Sequence, residues 1–493
     1  MQSLKKMADD IKFNKKKNKD FSEWYFELLK AADVIDQRYP AKGFIVHKEI
    51  AAIAEREMYK LFEKELDKTG HKMMRFPAVI PESVFAKEVE HIEGFTPEVF
   101  WIEKGGNDEL PEKMGLRPTS ETAMYTMYSK WIRSYRDLPL KVYQEAQVWR
   151  YETKHTRPLL RDREFYWIEA HNVFASREEA EKQVTEDMNI TEKVLHEQLG
   201  IPFLFFKRPE WDKFNGAEYT YGADVLMPNG LVIQQPSTHF LGQNFSKAYD
   251  IKFLDEDEKE KYAWQTCYGP AISRILSSVI ALHGDDKGLI FPWNIAPYQA
   301  VIIPIYKKDT DKEAIENNCK ELQKQLIEKG VRAEIDLSEK RPGAKYYYWE
   351  LRGACIRIEI GAREVENKEL TIARRDTGEK IKIKQEELDA YLEKLPKEII
   401  KNLKTKRDEE FKNALHEANS LEELKKELDK GGFVKINICS RDTDGEQCAD
   451  VIKAETNGGE VRGTLHGKEE KPTGNCIICG KKANAVVYVA KSY

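Results

Sequence analysis

The chain has 493 residues, 33% of them charged, and a formal net charge of −5 at pH 7. That length suggests about three domains, while the near-balanced charge excludes the global positive field of a general nucleic-acid binder. No apolar run approaches the roughly 20 residues of a membrane span, and the basic, polar N-terminus lacks a signal-peptide core, so no membrane is expected and the cytoplasm is the expected compartment. Any polyanion must then be met by local patches, for which residues 1–20 and IARRDTGEKIKIK (372–384) are candidates.

In chain order, residues 43–79 predict a long helix followed by a strand, with Pro77 in or beside that strand. LRPTSETAMY (116–125) holds TSE, a helix N-terminal signature in which Thr119 or Ser120 caps. In KVYQEAQVWRYE (141–152) strand alternation puts Tyr143, Trp149 and Tyr151 on one face, and Val142, Ala146, Val148, Arg150 and Glu152 on the other. After an irregular loop, REFYWIEAH (163–171) returns with Phe165, Trp167 and Glu169 on a common face. A guanidinium, carboxylates and rings on neighbouring strands are costly to bury without a partner. The hairpin is therefore either a structural ion-pair cluster or an anion site.

TCYGPAISRI (266–275) reads as a strand turning into a helix. From residue 298 to about 400, strand and helix patterns alternate: a strand at YQAVIIPIY, a helix ended by Gly330, a strand at VRAEID, a helix through WELRG and a strand at ACIRIEIG. A lysine- and glutamate-rich helical stretch then leads to a tail carrying Cys439, Cys448, Cys476 and Cys479, the last two in NCIICGKK. Four thiolates predict a closed tetrahedral structural zinc site, with a redox pair as the other reading. The wide spacing of Cys439 and Cys448 leaves both ligands an expectation to be tested. The domains expected are 1–293, 294–400 and 401–493.

An ATP site needs an arginine where charge builds at the α-phosphate, further cations for the outer phosphates, and an aromatic face for adenine. The hairpin's R-x-E, loop and R-x-x-x-F supply these, and the segment resembles motif 2 of the class II aminoacyl-tRNA synthetases. The resemblance implies that Arg150 holds the α-phosphate and the amino-acid carboxylate, Glu152 contacts adenine, Arg161 the γ-phosphate, and Phe165 stacks on the base. Residues 151–163 would approach the acceptor end of tRNA. The unit ending at Pro77 resembles motif 1, which implies a homodimer. Residues 266–275 resemble motif 3, with Arg274 as the second γ-phosphate arginine.

Within that class, the T-x-E segment resembles the prolyl subgroup. Thr119 and Glu121 would receive the imino group of proline, whose secondary ammonium has two protons to donate. RPEWDKFNGAEYT (208–220) and VIQQPSTHFLGQNFSKAYDIKF (232–253) are similar to the same subgroup. Carried over, Phe214, Trp167 and His239 would wall the ring, Gln234 and Ser237 would lie near the nucleotide and its Mg2+, and Cys267, Tyr268 and Gly269 would close the pocket. The segment from 350 to 378 resembles an anticodon-binding domain, making Glu359, Arg363 and Arg374 candidates for base contacts, with a surface salt-bridge cluster as the other reading. Tyr493 would reach toward the active site, or end in a frayed terminus.

The resemblance thus implies a class II antiparallel β-sheet catalytic core with helices, an α/β anticodon-binding domain and a small α+β zinc-type C-terminal domain of the archaeal/eukaryotic kind. The partners implied are ATP, L-proline and tRNA(Pro). Residues 166–265 leave no room for a large editing insertion between motifs 2 and 3. Two other classes remain in view: a non-catalytic RNA-binding paralogue, against which Arg150, Arg161 and Arg274 speak, and a small-carboxylate adenylating ligase without tRNA. A threonyl-type enzyme would need zinc ligands in the catalytic domain, and none is evident from spacing.

Overall fold

The computed structural model describes residues 13–85, 99–151, 156–307 and 310–493. The long helix expected near the N-terminus runs Glu49–Lys68 and buries Ile50, Ala54, Met58, Phe62 and Leu66, a stripe at four-residue spacing. The strand after it is split into Lys72–Met73 and Val79–Pro81, with Pro77 between the pieces. Proline has no N–H to give a ladder, so the interruption falls there.

The first sheet is organised on β1 (Lys72–Met73), β2 (Leu140–Trp149), β3 (Glu164–Phe174), β4 (Leu204–Lys207), β5 (Tyr219–Leu226), β6 (Val232–Gly242) and β7 (Trp264–Gly269). Strands β2 and β3 form the expected hairpin, and the helix Ile272–His283 packs its apolar stripe behind them. Residues 298–400 form a second sheet from β8 (Ala300–Pro304), β9 (Ala333–Ile335), β10 (Ile356–Ile360), β11 (Glu369–Arg374) and β12 (Lys380–Lys384), in the order β9-β8-β10-β11-β12. Strand β8 pairs parallel with β9 and β10, and the helices Lys312–Glu328 and Pro342–Leu351 supply the crossovers that parallel pairing requires.

The last unit contributes β13 (Leu415–Glu417), β14 (Phe433–Ile438), β15 (Gly459–Leu465) and β16 (Ala485–Lys491). These strands extend the first sheet. The order β13-β14-β16-β15-β4-β5-β6-β7-β3-β2-β1 makes one eleven-stranded sheet, joined where Thr464 faces Lys207 and Leu465 faces Phe206. Gly463 permits the junction: its φ is +119°, and a Cβ there would lie 2.0 Å from the Lys207 carbonyl oxygen.

Three expectations change. The helix Leu388–Lys412 runs straight through position 400, so the boundary drawn there falls inside a continuous element. The run 372–384 is no open basic patch. Arg374 bonds to Asp376 and Glu398, Arg375 to Asp285, Lys380 to Glu359 and Lys384 to Glu369, so hairpin β11–β12 is largely neutralised by its own surroundings. At the N-terminus, residues 1–12 lie outside the described residues, but Lys16 pairs with Asp286 at 3.2 Å and Lys17 donates to the carbonyls of Leu282 and Gly284 at 2.9 and 2.8 Å. Those lysines are spent on the body of the protein. Among the described residues, no helix is long and apolar enough to cross a membrane.

Candidate active site

The register of five neighbouring strands assembles one polar row on one face of the main sheet. Gln144 of β2 faces Glu169 of β3, His171 faces Cys267 of β7, Cys267 faces His239 of β6, and His239 faces Thr220 of β5. Directly opposed residues in an antiparallel pair project to the same side. The parity read for Phe165, Trp167 and Glu169 therefore places them on this face, above Val148, Ala146 and Gln144 of the neighbouring strand.

The row floors a cavity of about 290 Å³ lined by Thr119, Glu121, Arg150, Phe165, Trp167, Glu169, His171, Phe214, Ser237, His239, Cys267 and Gly269, among others. Ser120 stands at the N-terminus of the helix Glu121–Trp131 but makes no side-chain cap bond, so the capping reading of TSE is not the one realised. Instead Thr119 Oγ1 is hydrogen-bonded to Glu121 and, at 2.9 Å, to Glu169, whose Oε1 also accepts from the Ser120 N–H at 3.0 Å. Gln144 Nε2 donates to Ser120 Oγ at 2.7 Å.

Burial alone would raise both carboxyls. Glu121 is indeed held above its ordinary range, whereas His171, Ser120 and Thr119 outweigh burial at Glu169 and hold it below. Burial disfavours a charged His171, but its bond to Glu169 and the charges of Glu121 and Glu169 win and raise it. Glu121, His171 and Cys267 bring their donor atoms within 4.8 Å of one another, a cluster in the catalytic half that spacing had not revealed. The bond to Glu169 and the neighbouring acidic groups favour the charged form of His171, and burial holds the Cys267 thiol far above its usual range, both of which work against metal ligation.

Phe214 and His239 close one wall with ring centroids 4.7 Å apart. His239 is fixed by Thr220 at Nδ1 (2.8 Å) and Ser237 at Nε2 (2.9 Å), and burial pushes it down to about 3, so it is neutral. Gly269 leaves space beside Trp167, where a Cβ would come 3.4 Å from the indole. The Tyr268 ring turns to the opposite face, its hydroxyl 2.8 Å from Thr191, so its part in the pocket is its backbone. The buried indole N–H of Trp167 meets no acceptor among the described residues.

Gln234 and Arg274 are shared with a second cavity of about 650 Å³, which adds Arg157, Leu160, Arg161, Arg462, Ser492 and Tyr493. Arg150 stands just past β2, donating Nε to the Pro118 carbonyl at 3.0 Å, with its guanidinium 5.3 Å from the Phe165 ring and 5.5 Å from Trp167. Arg274 donates to the carbonyls of Leu160 and Gln234, each at 3.2 Å. Tyr493 is docked at the cavity, with Arg157 over its ring at 5.1 Å and its hydroxyl donating to Asn229 at 3.1 Å. Glu152 lies outside the described residues. A concave site with one polar, carboxylate-bearing end and one arginine-rich end suits a small zwitterion beside a polyphosphate.

Comparison with known proteins agrees with this geometry. Residues 100–283 match the tRNA synthetase class II core domain (G, H, P, S and T), 299–395 the anticodon binding domain, and 421–493 the prolyl-tRNA synthetase C-terminal model. A proline–tRNA ligase of Thermofilum pendens is 51% identical over 97% of this chain and 98% of its own length, and one of Pyrococcus abyssi is 43% identical over 97% and 99%. The chain belongs to the proline–tRNA ligase family.

Among solved proline–tRNA ligase structures, the Giardia lamblia enzyme in complex with prolyl-adenylate aligns with a TM-score of 0.92 at 36% identity, covering 98% of this chain and all of that one (100%). The Cryptosporidium parvum enzyme, complexed with halofuginone and AMPPNP, aligns with a TM-score of 0.90 at 31% identity, covering 99% and 98%. In this member of the family, Cys439, Cys448, Cys476 and Cys479 bring their sulfurs within 4.8 Å of one another, with Cys439–Cys448 at 3.6 Å and Cys448–Cys476 at 3.9 Å. A tetrahedral zinc with sulfur ligands at about 2.3 Å needs sulfurs about 3.8 Å apart, so the donor set fits. Ser237 offers a neutral oxygen, which suits a Mg2+ carried mainly by phosphates, whereas the Gln234 Oε1 already accepts from Arg208 at 2.8 Å. Of the three anticodon candidates, Glu359 bonds to Lys380 and Arg357 and Arg374 to Asp376 and Glu398, while Arg363 is exposed on the helix Ala362–Asn367.

Proposed function

We propose that the chain activates L-proline with ATP to prolyl-adenylate, releasing pyrophosphate, and passes the prolyl group to the 3′-terminal ribose of tRNA(Pro), releasing AMP. The observation that carries this reading is the abutment of the two cavities across Gln234 and Arg274, one floored by Thr119, Glu121 and Glu169, the other ringed by arginines. The secondary ammonium of proline would sit between Thr119 and Glu121, and its ring against Phe214, Trp167 and His239. Glu121, held toward its protonated form by burial, ionises when a cation arrives beside it.

The substrate carboxylate is itself the nucleophile, so no side-chain nucleophile is needed. Arg150 draws carboxylate and α-phosphate together, and Arg161 and Arg274 take charge on the outer phosphates as the pyrophosphate leaves. Phe165 offers adenine a face. Ser237 would lie beside a Mg2+ carried in on ATP, which would neutralise charge on the phosphates. A structural zinc on the four cysteines would brace the last unit. Arg363, in the unit matched by the anticodon-binding model, is the exposed candidate for a base contact. A second copy of the chain would cover the apolar groove of Met74, Phe76, Pro77, Val79, Ile80 and Trp131, which adjoins the motif 1 segment and leaves Val79 38% and Trp131 42% exposed.

The test is amino-acid-dependent ATP–pyrophosphate exchange with all twenty amino acids and no tRNA. Exchange led by proline is expected. Exchange led by another carboxylate favours a different adenylating ligase, and exchange with none favours a non-catalytic RNA-binding paralogue.

A further inference from the structure

We propose that Arg462, delivered from the last unit of the chain, is a positioning residue for the nucleotide subsite, acting through Asp224 and Arg208 on the side chain of Gln234. This rests on the assignment of the larger cavity to ATP. Arg462 lies on β15, at the point where the sheet crosses from the last unit into the catalytic half, and it lines that cavity together with Gln234, Arg161 and Arg274.

Asp224 is fully buried and is gripped by two guanidinium forks. Arg208 donates Nη1 at 2.9 Å and Nη2 at 2.6 Å, and Arg462 donates Nε at 2.7 Å and Nη2 at 3.1 Å. Arg208 also donates Nη1 to the Arg462 carbonyl at 2.8 Å, and Nη2 to Gln234 Oε1 at 2.8 Å. Gly222 makes this possible, since a Cβ there would lie 2.5 Å from Arg208 Nη2. Asp224 and Gln234 are themselves cross-strand partners on β5 and β6.

The consequence concerns the orientation of an amide. With Gln234 Oε1 occupied by Arg208, the Nε2 end is the one left to donate to a phosphate or ribose oxygen. Arg208 can hold that amide only while Asp224 fixes its fork, and Asp224 is centred between two forks. Remove the Arg462 fork, and Asp224 and Arg208 re-centre on each other, so the Gln234 amide loses its fixed sense. A bidentate fork cannot be replaced by a lysine, which presents a point charge. Charge retention with loss of geometry therefore separates positioning from simple adhesion between the two parts of the sheet.

The experiment compares wild type with Arg462→Lys, Gln234→Ala and the double variant, reading the dissociation constant for Mg2+–ATP by calorimetry, KM for ATP and for proline by exchange, and Tm. Arg462→Lys is expected to weaken ATP about tenfold, leave KM for proline within twofold and keep Tm within a few degrees; in the double variant it should add nothing to the loss caused by Gln234→Ala. Unchanged ATP binding, an equal rise in both KM values, or full additivity would overturn the proposal. If Arg462→Lys fails to fold, Asp224→Asn replaces it, with the same selective loss of ATP expected. A wild type that binds ATP but shows no proline-dependent exchange sinks the functional assignment, while the direct ATP titration still decides the role of Arg462.

Discussion

Beside the two abutting cavities Arg274 donates to the carbonyls of Leu160 and Gln234 and Arg150 to that of Pro118, whereas in the second sheet Arg374 and Arg375 donate to the carboxylates of Asp376, Glu398 and Asp285. A carbonyl fixes the direction of a guanidinium without cancelling its charge; a carboxylate fixes the direction and cancels the charge. On the function proposed above, the same residue type serves a ligand in one region and internal cohesion in the other.

Substitution should break this contrast unevenly. Arg150→Ala is expected to lower proline-dependent exchange by about 10²–10³-fold with Tm within a few degrees of wild type, because the lost interaction belongs to the transition state. Near-normal exchange would remove Arg150 from the chemistry. Arg374→Ala is expected to do the reverse, costing about 3 kcal/mol in denaturant unfolding because Asp376 is left buried without its partner, while exchange without tRNA is retained. Equal stability of the variant would return Arg374 to the candidates for base contacts. The smallest effect belongs to Arg363→Ala. Its exposed side chain should change stability by no more than about 0.5 kcal/mol, while KM for tRNA in aminoacylation rises about tenfold, the size of one base contact. An unchanged KM for tRNA would leave the second sheet without an assigned contact.

What was legible beforehand followed from period. Alternation along 141–152 and 163–171 put Phe165, Trp167 and Glu169 on one face, and the hairpin register keeps them there. Whether TSE caps its helix was not legible from spacing, since capping and ligand reception use the same residues; the structure shows no side-chain cap at Ser120 and turns the Thr119 hydroxyl to Glu121 and Glu169. His171 and Gln144 escaped notice because their function comes from partners on neighbouring strands, Glu169 and Ser120, which no local pattern records. Charge counting misread 372–384 for the same reason, since Glu398 and Asp285, which pair with Arg374 and Arg375, lie on other elements. The wide Cys439 to Cys448 interval is spanned by a 3₁₀ turn and the first turn of the helix Glu446–Glu455, which folds the two sulfurs to 3.6 Å.

The junction of Lys207 with Thr464 has a consequence for synthesis on the ribosome. In a growing chain β4 offers an unpaired edge, the exposure that invites wrong pairing, until residue 465 has left the exit tunnel. Closing that edge is a contact between distant segments, so it comes late and slowly. Through all that time Asp224 has only one of its two guanidiniums, and a nascent chain already carrying residues 1–293 keeps one sheet edge open while it waits for its far half.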